Sequence, residues 1–85
     1  MEPADHDVAL RHLAAAEDAI ARARERIVRQ RRIIDSLERR GQHCPDAYAL
    51  LASLEAACAN RERSLAILLK HLARRGWTIG GPLMP

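Results

Sequence analysis

Phenylalanine is absent from this chain, and tryptophan and tyrosine occur once each. Lysine is nearly absent too, Lys70 being the single example among 14 basic residues. Alanine, arginine and leucine dominate instead, which is the composition of long helices and coiled coils. Two cysteines, Cys44 and Cys58, are too few for a disulfide framework. No stretch approaches the roughly 20 apolar residues that a membrane-spanning helix needs. The amino terminus, Met1-Glu2-Pro3-Ala4-Asp5, is acidic and lacks the apolar run of a signal peptide. A cytoplasmic chain is therefore expected, with no membrane partner. At 85 residues it holds one domain at most. Cores of chains this small rarely supply more than about 3–5 kcal/mol, and oligomerisation is a common remedy.

What is present is periodicity. Leu13, Ala16, Ile20, Ala23, Ile27, Gln30, Ile34 and Leu37 follow one another at gaps of alternately three and four. That spacing is a helix with one apolar seam. After a polar lead-in at 1–5, with Asp5 as cap, the first helix is predicted over 6–40, a span without glycine or proline. Gly41 stands where a left-handed residue closes a helix. A loop at 41–44 follows, and Pro45 suits the first position of a second helix over 45–75. Cys44 is then its N-cap, and a poor one. The second seam runs Leu51, Leu54, Cys58, Arg61, Leu65, Leu68, Leu72. Gly76 ends that helix, with Trp77 expected to fold back on Leu72. The tail over 76–85 is expected to be extended, its apolar groups either packing on the hairpin or docking on a protein partner.

The fold class is thus all-α, a coiled-coil-like antiparallel two-helix hairpin, because a short loop makes the helices neighbours. Its seam rests on Ile20, Ile27, Ile34, Leu51, Leu54, Leu65 and Leu68. Placing Leu37 beside Leu51 puts Ile34 beside Leu54, Gln30 beside Cys58 and Arg61 beside Ile27. It also brings Arg24 to Glu62 and Arg31 to Glu55 on one flank, pairs of opposite sign. Gln30 and Arg61 are polar interruptions of the seam. Such a group can fix register, or, for Arg61, lay its stem along the seam with its charge in water.

The other flank is small and largely uncharged. Ala19 is expected near His71, Arg26 near Ser64, Ile33 near Ala57 and Arg40 near Leu50. Ile33, Leu50, Ala57 and Ala19 are read as an oligomer interface, two hairpins dimerising into a four-helix bundle.

Chemistry is poorly represented. No C-x-x-C or H-E-x-x-H occurs, and His12, His43 and His71 are too scattered to suggest zinc. No glycine-rich phosphate loop and no nucleophile–base pair is legible, so neither enzymatic activity nor a cofactor is expected. The suggestive feature is basic. Arg22, Arg24, Arg26, Arg29, Arg31 and Arg32 crowd one stretch against Glu25 alone, in a chain of net charge +3. Arg24 and Arg31 point to the second helix, while Arg22, Arg26 and Arg29 share an outward stripe with Arg32 beside it. Clustered arginines neutralise phosphates, so the alternative to a protein-interaction module is a nucleic-acid-binding bundle using these four. No aromatic residue interleaves with them, which argues against stacking on single strands.

The segments His12-Leu13-Ala14, Arg29-Gln30-Arg31, Leu37-Glu38-Arg39-Arg40-Gly41 and Ala49-Leu50-Leu51-Ala52-Ser53-Leu54-Glu55 resemble a set of small uncharacterised bacterial helical-hairpin proteins. The resemblance covers about half the chain and implies a bacterial, cytoplasmic hairpin without assigning a function. The expected architecture is also similar to that of the plasmid copy-number regulator Rop, an RNA-binding hairpin dimer, as an analogy of fold alone.

Overall fold

A computed structural model describes residues 3–76. Two helices, α1 (Pro3–Arg39) and α2 (Pro45–Arg74), pack against each other as a hairpin. α1 begins three residues before the expected start, so Asp5 lies within it and not at its cap. Proline is compatible with a first helical turn, where its missing N–H has no intrahelical partner to lose. The other ends fall within a residue of expectation. Trp77 and the tail lie outside the described residues.

The loop is closed by backbone geometry. Gly41 adopts φ +73°. Its N–H bonds to the Glu38 carbonyl at 3.0 Å, and Gln42 N–H to the Leu37 carbonyl at 2.8 Å. These two bonds are the Schellman pattern, satisfying carbonyls that the helix end would leave free. Cys44 is extended at φ −125° and caps α2 without a side-chain bond, as its thiol leads one to expect. Across the loop, the Tyr48 hydroxyl donates to Glu38 at 2.5 Å, with the His43 and Tyr48 rings 5.7 Å apart.

That bond sets a testable ionisation. The hydrogen bond to Glu38, then desolvation and the carboxylate's charge, hold the Tyr48 phenol above its ordinary value. The folded state binds this proton more tightly than the unfolded chain does. The resulting contribution is complete below the ordinary tyrosine pKa of about 10 and is lost as pH rises through the folded value. Tyr48 is the sole tyrosine, so phenolate absorbance reads it directly. Glu38→Gln should shift its titration downward; an unmoved titration contradicts the bond.

The core is thin. Leu13, Ile20, Ile27, Ile34, Ala47, Cys58 and Leu72 are its buried apolar side chains, and none of them is completely enclosed. The hairpin measures 59 × 24 × 18 Å with a radius of gyration of 18.1 Å, against about 11–12 Å for a compact chain of this length. No helix is long and apolar enough to cross a membrane among the described residues.

The register differs from the one the sequence suggests. Gln30, only 7% exposed, donates its side-chain amide to the Ala47 carbonyl at 2.9 Å. Ala47 lies roughly 16 Å along α2 from Cys58 at the rise of a helix, so Gln30 is not level with Cys58. Arg61 likewise shares grooves with Ala16, Ala19 and Ala23, nearer the start of α1 than Ile27. The displacement moves Arg61 toward the start of α1. It also carries the last turn of α2 down to the first turns of α1, where Leu13 and Leu72 are both buried. The polar seam residue Gln30 is thus matched to a specific backbone acceptor near the loop, as a register-fixing group should be.

Candidate interaction surface

The two flanks of the seam are chemically unlike. On one, Arg24 reaches Glu62 at 2.5 Å and Arg31 reaches Glu55 at 2.7 Å, the two interhelical pairs expected from sequence. Helical side chains lean toward their own N-termini. In an antiparallel pair these arginines and glutamates therefore lean toward each other and close a diagonal gap. The hydrogen bond and charge of Glu62 raise the ionisation of Arg24 further above its ordinary value. All four side chains are well exposed, so each pair adds little stability. Glu17, Ile20, Leu65, Ala66 and Leu69 complete this flank beside Arg24 and Glu62.

The opposite flank has no such matching. Ala19, Ala23, Leu54 and Ala57 form the floor of a shallow groove walled by Arg22, Arg26 and Arg61. It continues past Ala16 and Ala19 to Asn60 and Ser64. Arg22 pairs with Asp18 one turn before it. No carboxylate lies within ion-pair distance of Arg26 or Arg61 among the described residues. Arg61 is exposed although it occupies a seam position, so its charge sits in water while its stem follows the groove. The displacement changes the expected neighbours on this flank. Ala19 lies by Asn60, Arg61 and Ser64 instead of His71, and Arg26 lies by Leu54 and Ala57 instead of Ser64. Ala57 shares the groove with Ala19, Ala23 and Arg26 and not with Ile33. Ile33 and Leu50 are 51% and 50% exposed, large apolar side chains left in water by a lone hairpin.

The arginines named from sequence divide between two surfaces. Arg22 and Arg26 line the groove. Arg29 and Arg32 line a separate depression on α1 with Arg24, Glu25 and Val28. Arg61, contributed by α2, belongs with the first pair. Its place among them is hidden in the sequence, where the seam pattern sets Arg61 beside Ile27. Among the described residues, no group of three or more His, Cys, Asp or Glu side chains is placed to hold a metal ion. Cys58 is buried and Cys44 half-buried, both as free thiols. Compared with known proteins, the chain matches no family model, no curated protein and no solved structure.

Proposed function

We propose that this chain is a non-enzymatic interaction module. Two hairpins associate through the flank that carries Ile33, Leu50, Ala57 and Ala19, giving a four-helix bundle. The observation that carries the reading is the contrast between flanks. One is sealed by interhelical ion pairs; the other has a small-residue groove, and the exposed Ile33 and Leu50 share the heptad positions of Ala19 and Ala57. Small residues let a second pair of helices approach closely, and the two large ones supply apolar area to bury. The thin core points the same way, since a second layer of helices would bury seam residues that one hairpin leaves half-covered.

The test is the solution mass of the reduced chain by light scattering, over a concentration series in phosphate-containing buffer. A mass of twice 9.5 kDa that falls on dilution is the expected result. A helical species of single-chain mass at all concentrations overturns the proposal.

A further inference from the structure

Self-association of this flank raises a charge problem, and its solution implies a ligand. The inference rests on the dimer proposed above. A two-fold axis sets each surface against its own copy. If the hairpins run parallel, every level of the strip meets itself. If they run antiparallel with full overlap, the middle meets itself. The middle is the groove of Arg22, Arg26 and Arg61. Either arrangement gathers arginines from both copies, and Arg26 and Arg61 bring no carboxylate with them. Like charges so juxtaposed oppose association strongly.

We infer that the groove is an oxyanion site, completed by the second copy, in which a phosphate-type group is held between the arginines of two hairpins. Guanidinium groups present planar forks that match phosphate oxygens in pairs. Ala19, Ala23 and Ala57 leave the floor free of bulk, so the anion can sit between the helices without displacing a side chain. Free phosphate and the phosphates of a nucleic acid share this chemistry.

Sedimentation equilibrium of the full reduced chain tests it, in chloride and in inorganic pyrophosphate at matched ionic strength. Pyrophosphate should tighten self-association about tenfold or more. Arg26→Gln with Arg61→Gln should associate equally in the two salts, and more tightly in chloride than the unaltered chain. Both side chains are exposed, so the variant should fold, and its helical circular dichroism verifies this. Equal association of the unaltered chain in both salts overturns the oxyanion site and leaves the dimer standing. A monomer in both salts overturns dimer and site together. A short single-stranded RNA, added at the same phosphate concentration, separates the two sources. Dimer formation with RNA as with pyrophosphate supports the shared site, and a response to pyrophosphate alone confines it to free phosphates. RNA bound to a single hairpin, or dimerisation driven equally by polyglutamate, overturns a bridging phosphate.

Discussion

Ile34→Ala should leave the chain largely unfolded at room temperature. Ile34 is 6% exposed, one turn along α1 from Gln30, which ties that helix to α2. Truncating a buried isoleucine to alanine costs about 2–5 kcal/mol, part of it for the cavity left behind. A core of this size supplies only about 3–5 kcal/mol, so the loss is comparable to the whole. Ile67→Ala removes the same atoms from a side chain that is 68% exposed, and should change stability by less than about 0.5 kcal/mol. Urea unfolding followed by circular dichroism compares the two directly. Equal effects would mean that the burial pattern of the hairpin is wrong.

Ile33→Glu combined with Leu50→Glu should separate the copies while leaving each hairpin folded. Both side chains stand half in water in the single hairpin, so carboxylates there cost the fold little. In the dimer the same carboxylates would be buried without partners, at a cost of several kcal/mol. Self-association should weaken by about a hundredfold or more, read as a single-chain mass with helical circular dichroism preserved. A mass unchanged from the parent chain would place the contact elsewhere, for example around Leu69 or Val28.

The two helices, the loop and the Gly41 turn were legible from sequence because each has a local cause. The alternating gaps make the seams, and Gly41 and Pro45 stop and restart the helix. The register was not legible, for a physical reason. A seam of alternating threes and fours finds a matching partner again after every half heptad, so hydrophobic matching alone leaves such slips open. The pairs Arg24–Glu62 and Arg31–Glu55 form as expected, yet long side chains leaning together span the slip and do not decide it. Gln30 decides it, because a buried amide must find an acceptor and the one it finds is the Ala47 carbonyl. The groove of Arg22, Arg26 and Arg61 follows from that slip. α1 alone gives a stripe of its own arginines; only the register adds Arg61 from α2. The start of α1 was missed for a smaller reason, since Pro3 reads equally well as lead-in or first turn.

Disulfide trapping between copies tests the central claim most directly, because it locates the shared surface. With Cys44→Ser and Cys58→Ala as background, a single cysteine is placed at Ala57, on the groove flank, or at Ala66, on the ion-paired flank. Both positions are exposed in the single hairpin, so collision alone would oxidise them at similar rates. Under mild oxidation at micromolar protein, Ala57→Cys should form covalent dimers well ahead of Ala66→Cys. Equal rates, or faster linking at Ala66→Cys, would contradict the assignment of the groove flank as the surface that two hairpins share.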